Sequence, residues 1–345
     1  MSDLIPLPSP KLRSYWPTHE WNDSEKRSDI DELLGYESDQ SYNLGQTYAC
    51  IVIQSGDIIG EHYGYDLPSF TEAKPVTRST KLLSWSVAKS ILHAVFGLAV
   101  SDKIIDLEEN SLFGEWNNDL RSDIRVIDLL QMRDGLDFVE NYTDDRVSDV
   151  IEMLFGKSAV DMSGYAMNKS LKHKPSTVFN YSSGTSNILS RLLFDRLGGH
   201  KGFNEYIYSR LFDVIGMTSV ELKYDELGVW TASSYVYATA RDYARFGFLY
   251  LNGGIWSNSV VLDPKWVDFA RDPVSVDPES GFNYGALWWM KNDGLGTFWA
   301  DGFEGQLIVV CPKLDALIVR FGKTTEAIRD NLDGWVDEVL TRLQR

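Results

Sequence analysis

Cysteine, histidine and basic charge are all scarce in this chain, and each shortage removes a class of chemistry. Two cysteines, Cys50 and Cys311, stand in 345 residues, and no Cys-x-x-Cys occurs. Two thiols make no disulfide framework, and their β-rich surroundings read as buried free cysteines. The five histidines (His19, His62, His93, His173 and His200) are scattered. No His-Glu-x-x-His is present to bind zinc, and no Gly-x-Ser-x-Gly elbow to build a Ser-His-Asp hydrolase. No metal or other cofactor is implied. His93 lies in an apolar run and is expected to be a satisfied core histidine. Lys and Arg number 33 against 50 Asp and Glu, a net charge of −17. Nucleic acid and anionic membranes need basic patches, so neither is an expected partner. No stretch of about 18 uncharged apolar residues appears, and the opening Met-Ser-Asp-Leu-Ile-Pro-Leu-Pro-Ser-Pro lacks the features of a signal peptide. The expectation is a soluble, cytoplasmic protein acting on a small molecule.

What is present is an ordinary globular composition, 43% hydrophobic and 24% charged. Residues 1–45 are polar and weakly periodic, with a short helix expected near Ile30–Leu34. Thr47–Ile53 and Ile58–Tyr63 flank the turn signal Gln54-Ser55-Gly56-Asp57 and predict a hairpin. From about 80 to 270 the pattern is mostly helical. Helices are expected over Leu83–Val100, Asp123–Met132, Ser183–Leu197 and from Thr239 through Tyr250. Strand candidates return at Gly285–Met290, Thr297–Trp299, Gln306–Val310 and Ala316–Phe321. A last helix places Leu332, Trp335, Val336, Val339, Leu340 and Leu343 on one face, which docks it on a sheet. The fold class is α+β: one antiparallel sheet from both chain ends (residues 1–80 and 271–345) with terminal helices, and a mostly helical domain inserted at 81–270. A site is expected in the cleft between the two parts.

The candidate chemistry is Ser86-Val87-Ala88-Lys89. On a helix, positions i and i+3 share a face, so hydroxyl and amine can meet. Val87, Ala88, Ile91, Leu92, Ala94, Val95, Phe96, Leu98 and Ala99 make the helix apolar all round, hence buried. A lysine entering that environment loses solvation, its pKa falls, and the neutral amine can accept a proton. Ser-x-x-Lys alone is weak, since about one or two copies arise by chance in such a chain. This is the single copy here.

With Ser86-Val87-Ala88-Lys89, two further segments complete an ordered set. One is Tyr181-Ser182-Ser183, and the other is Ala300-Asp301-Gly302-Phe303-Glu304-Gly305-Gln306. With Leu129–Leu136 and Tyr237–Gly247 in support, the chain from about Thr47 to Phe321 resembles the class C β-lactamase-like serine hydrolases. That family includes penicillin-binding carboxypeptidases, esterases and amide hydrolases, and the resemblance is nearest to its 6-aminohexanoate-dimer hydrolases.

The resemblance implies a β-lactamase/transpeptidase-like fold, with Ser86 as nucleophile and Lys89 and Tyr181 as proton-transfer groups. It implies an oxyanion hole from the backbone N–H groups of Ser86 and Phe303, and it places Ser183 near Lys89 or the substrate. Gly302 would let the strand approach the substrate closely. Asp301 is expected at the pocket edge or as a local hydrogen-bonder. Tyr142, Trp288 and Trp299 either line the acyl pocket or pack the core. Ala300 stands where many relatives carry Lys or His, and Ser183 where β-lactamases usually carry Asn. Both departures favour an ester or linear amide substrate. The alternatives are a D-alanyl-D-alanine carboxypeptidase or β-lactamase, and a non-catalytic relative that binds a peptide or cell-wall fragment.

Overall fold

The structure, a computed structural model, describes residues 4–23, 25–66, 72–142 and 148–345. Its main sheet has eight strands, all antiparallel. In spatial order they are Ser275–Val276, Asn283–Tyr284, Trp289–Met290, Phe298–Gly302, Gln306–Cys311, Ala316–Lys323, Gln46–Gln54 and Asp57–Tyr63. The strand nearest the C-terminus pairs with the first strand of the chain, so the sheet is closed from both chain ends.

Alternation along each strand sorts side chains onto two buried faces. Ala49, Ile51, Phe298, Ala300, Ile308, Leu317 and Val319 enter the inner core. Cys50, Val52, Trp299, Leu307, Val309 and Ile318 enter the outer one. Because both faces are covered, the strands read as unbroken apolar runs. The helix Arg329–Leu343 covers the outer face with the six apolar residues expected of it. The Trp335 indole N–H donates to the Leu33 carbonyl at 2.8 Å, tying this helix to the N-terminal segment. Cys50 and Cys311 are buried and unbridged, and burial pushes their thiols up to about 12 and about 11.

The inner face carries the helices Val87–Ser101 and Ala240–Leu251, so the sheet and the helical stretch share one hydrophobic core. Thr239 caps the second helix by accepting from the Asp242 N–H. Gly247 lets that helix lie against the sheet, since a Cβ there would sit 2.5 Å from the Leu317 side chain. His93 is fully buried and shares a 2.7 Å hydrogen bond with the Tyr250 hydroxyl, while its ring stacks on Trp266. Desolvation pushes its pKa down to about 3, so it is a neutral core residue.

Several elements differ from expectation. The run Gly285–Met290 yields only the strand Trp289–Met290, because a turn closed by Gly285 N–H to the Trp288 carbonyl occupies its first half. Ser275–Val276 and Asn283–Tyr284 are too short to show a period. The helix expected over Asp123–Met132 is limited to Val126–Leu130. The helix Tyr36–Tyr42 was not anticipated. Among the described residues, no helix is long and apolar enough to cross a membrane.

Candidate active site

Ser86 and Lys89 are positioned by the turn that enters the helix Val87–Ser101. The strand Leu82–Leu83 pairs with Val236–Ala238, and Ser84 continues that anchoring. Its N–H donates to the Val236 carbonyl at 2.8 Å, and its hydroxyl accepts from the Val236 N–H at 3.0 Å. Trp85 then takes φ +44°, a left-handed value that costs a bulky residue conformational energy. That reversal sets Ser86 at the N-cap, where the helix N-terminus favours negative charge.

Lys89 projects back along the same face. Its Nζ lies 2.8 Å from Ser86 Oγ, 3.1 Å from Ser183 Oγ and 3.0 Å from the Ser233 carbonyl oxygen. The side chain is 1% exposed and makes no ion pair among the described residues. Loss of solvation dominates and pushes the ammonium down from 10.5 to about 8, against an opposing pull from the Glu140 carboxylate.

Tyr181 immediately precedes Ser182, whose hydroxyl caps the helix Ser183–Arg196 by accepting from Thr185 N–H at 3.0 Å. The phenol is thus held by the start of a second helix, facing the first. Lys89 Nζ sits 4.9 Å from the Tyr181 ring centre. Trp289 and Tyr284 back the ring at 5.4 and 6.1 Å between centroids. Burial, with Tyr284, Glu140 and Tyr142 nearby, pushes the phenol well above its ordinary range, and a hydrogen bond with Ser86 opposes the rise. Tyr181 therefore stays protonated through neutral pH.

The strand Phe298–Gly302 forms one edge of the site. A Cβ on Gly302 would stand 2.5 Å from the Ser84 carbonyl oxygen, so only glycine permits this approach. Phe303 follows, partly exposed, edge-on to Trp85 at 5.6 Å and stacked on Tyr142 at 5.0 Å. Tyr142 thus stands at the mouth of the site.

Two expected pocket residues lie elsewhere. Trp299 and Asp301 project from the opposite face of the strand from Ala300 and Gly302. Trp299 packs edge-on to Phe282 at 4.9 Å in the outer core. Asp301 receives Arg329 through both nitrogens at 3.1 and 2.7 Å, and the Trp299 indole at 3.2 Å. The physical reason is the two-residue period: a strand with Gly302 against Ser84 must turn Asp301 and Trp299 away. Trp288 is fully buried against Tyr250 at 4.5 Å, a core residue.

One member of the site was missed. Glu140 accepts from the Ser183 hydroxyl at 2.6 Å, the Ser183 N–H at 2.8 Å and the Tyr142 hydroxyl at 2.6 Å. Nothing local marks this residue among 50 acidic side chains. Among the described residues, no three His, Cys, Asp or Glu side chains group closely enough to hold a metal ion.

Comparisons with known proteins bear on the family and the fold. Residues 46–340 match the family model described as Beta-lactamase. A 6-aminohexanoate-dimer hydrolase of Paenarthrobacter ureafaciens is 23% identical over 297 residues, covering 79% of this chain and 72% of the relative. A provisionally named 6-aminohexanoate-dimer hydrolase from Bacillus anthracis shares the fold with a TM-score of 0.77 at 19% identity, over 98% of this chain and 90% of the other. The D-amino acid amidase of Ochrobactrum anthropi shares it at 0.68 and 14% identity, over 92% and 99% of the two chains. The chain belongs to the beta-lactamase family, in its class C-like branch, and is a hydrolase of that kind.

Proposed function

We propose that this protein is a serine hydrolase that cleaves an ester or linear amide through an acyl-enzyme on Ser86. The observation that carries the reading is a buried lysine amine 2.8 Å from the hydroxyl of Ser86, the residue at the N-cap position of the same helix. In the first step Ser86 Oγ attacks the acyl carbonyl, its proton passes to neutral Lys89, and the carbonyl electron pair moves onto oxygen. Lys89 is the base because burial brings it to about 8, whereas the same burial keeps Tyr181 protonated. Tyr181 is then placed to give its proton to the departing alcohol or amine, and to be refilled from Lys89. The backbone N–H groups of Ser86 and Phe303 would hold the oxyanion. Water releases the acyl group with the same pair acting in reverse.

The substrate class follows from what lines the edge. Ala300 is fully buried and offers no charge to a substrate carboxylate. Phe303, Tyr142 and Trp85 form an aromatic margin instead. This supports esters and linear amides over penicillin-like acids, as does the likeness to a 6-aminohexanoate-dimer hydrolase.

The test is hydrolysis of p-nitrophenyl butyrate and of linear ω-amino-acid amides by wild type and Ser86→Ala, with nitrocefin as a third substrate. Ser86→Ala is expected to lose turnover and labelling by a serine-directed phosphonate. For wild type, kcat/KM should rise with pH and level off above about 8, because the lysine must be neutral to accept the proton. Full activity in Ser86→Ala would overturn the proposal, and a non-catalytic binding protein would show no turnover in either. Nitrocefin as the best substrate would move the assignment to a β-lactamase or carboxypeptidase.

A further inference from the structure

The hydrogen bonds around Lys89 can be counted proton by proton. Its amine faces three oxygens: Ser86 Oγ, Ser183 Oγ and the Ser233 carbonyl. A neutral amine has two N–H groups and one lone pair, so one of the three contacts must supply a proton to it. The Ser233 carbonyl has none. Ser183 has one, but its hydroxyl is 2.6 Å from Glu140 Oε1, a carboxylate oxygen that only accepts. The other Glu140 oxygen is held in place by the Ser183 N–H at 2.8 Å. The Tyr142 hydroxyl also donates to Oε1, which keeps the carboxylate in this orientation.

We infer that Glu140 is a positioning residue: by holding the only hydroxyl proton of Ser183, it leaves the Lys89 lone pair a single partner, the Ser86 hydroxyl. This rests on the reading of Ser86 as nucleophile and Lys89 as its base. It adds a reason why the base points at the nucleophile and not at the second serine beside it. When substrate arrives, the Ser86 O–H bond breaks, an N–H bond forms on Lys89, and Ser86 Oγ bonds to the acyl carbon. No other group changes its proton. The negative charge of Glu140 also favours the ammonium that this step creates.

Glu140→Gln tests the inference with almost no change of shape. Its amide oxygen must turn to the Ser183 N–H, which presents the NH₂ to Ser183 Oγ. The Ser183 proton is then free to compete for the Lys89 lone pair. On p-nitrophenyl butyrate the plateau kcat should fall about 10-fold or more, a part of the roughly 10²–10⁴-fold that a general base contributes, with KM changed little. Loss of the negative charge should also move the pH limb of kcat/KM to lower pH. The limb reports the charge, whereas a plateau loss in Glu140→Gln that disappears in the Ser183→Ala background reports the positioning role, which a merely structural defect would not show. Ser183→Ala removes the competing proton together with one acceptor, so it should cost less than Glu140→Gln, and Glu140→Gln added to Ser183→Ala should lose little more, because no Ser183 proton is left to release. A wild-type plateau in Glu140→Gln, or the full Glu140→Gln loss persisting in the Ser183→Ala background, would overturn the inference. Ser86→Ala measured alongside separates the two readings. If it is inactive while Glu140→Gln is unimpaired, only the role of Glu140 fails. If Ser86→Ala is active, the serine mechanism itself fails.

Discussion

Lys89 and Arg320 are both basic side chains sealed inside the protein, one on each side of the same sheet, and burial leaves them in different states. Lys89 stands beyond the inner face among three neutral oxygens, and desolvation brings it to about 8, within reach of proton exchange. Arg320 lies on the outer face, fully buried, and donates to the carbonyls of Gln46 and Gly305 at 3.0 Å each. Burial lowers it as far, but from a higher ordinary value, to about 10, so it stays charged at neutral pH. A compact ammonium on a flexible stem gives up its proton when desolvated, whereas a delocalised guanidinium keeps it and spends its fork on several acceptors. The lysine side of the sheet is where a charge can change, and the arginine side is where a charge is fixed as scaffolding. Arg320 holds the Gly305 turn, which joins the two strands next to Phe303, so the fixed charge helps to shape the edge used by the changeable one.

Swapping the two chemistries breaks the comparison most directly. Lys89→Arg puts a permanent cation beside Ser86, and ester turnover should drop by about a thousandfold or more, the scale seen when a member of a catalytic unit is removed. Lys89→Met, which removes charge and proton acceptor together and adds no volume, should be as inactive. Steady-state kinetics on p-nitrophenyl butyrate measures both, and Lys89→Arg at near wild-type rate would mean the amine is no base.

The reciprocal change, Arg320→Lys, should leave the chemistry in place and weaken the fold. A single ammonium cannot reach both carbonyls, and each buried carbonyl left unpaired costs roughly 1–3 kcal/mol. A lower midpoint in urea unfolding, with phosphonate labelling of Ser86 preserved in the folded protein, is the expected outcome. An unchanged midpoint would show that the arginine fork is dispensable.

The two sides also differ in how well the sequence reveals them. The Val87–Ser101 helix was legible because two signals coincide: Ser86 and Lys89 lie one turn apart, and the helix around them is apolar throughout. The sheet from both chain ends followed from strand-like runs near residues 50 and 310, and the C-terminal helix from its six-residue apolar face. Glu140 was not legible, because its partnership with Ser183 joins positions 43 apart through tertiary structure alone. Trp299 and Asp301 were misplaced for a different reason. Asp301 stands next to Gly302 and Trp299 next to Ala300 in sequence, but adjacency along a strand means opposite faces, and the parity of Phe298, Ala300 and Gly302 already excludes their neighbours from the cleft. The partner of Asp301, Arg329, comes from the C-terminal helix, and no local pattern announces that pair.

That parity makes the mildest prediction and the sharpest check on the two-sided picture. Asp301→Asn loses a charge-assisted pair with Arg329 that is partly open to solvent, while Arg329 keeps Asp333 at 3.3 Å. The cost in stability should be about 1 kcal/mol, the upper range for a pair of this exposure. Because the side chain faces the outer core, kcat and KM for any accepted ester should stay at wild-type values. Arg329→Met should behave alike, and the double variant should lose little more than either single one, since both remove the same pair. A specific rise in KM in Asp301→Asn, with stability intact, would place its carboxylate in contact with substrate. It would then be the sheet register, and not merely one residue, that had been read on the wrong face.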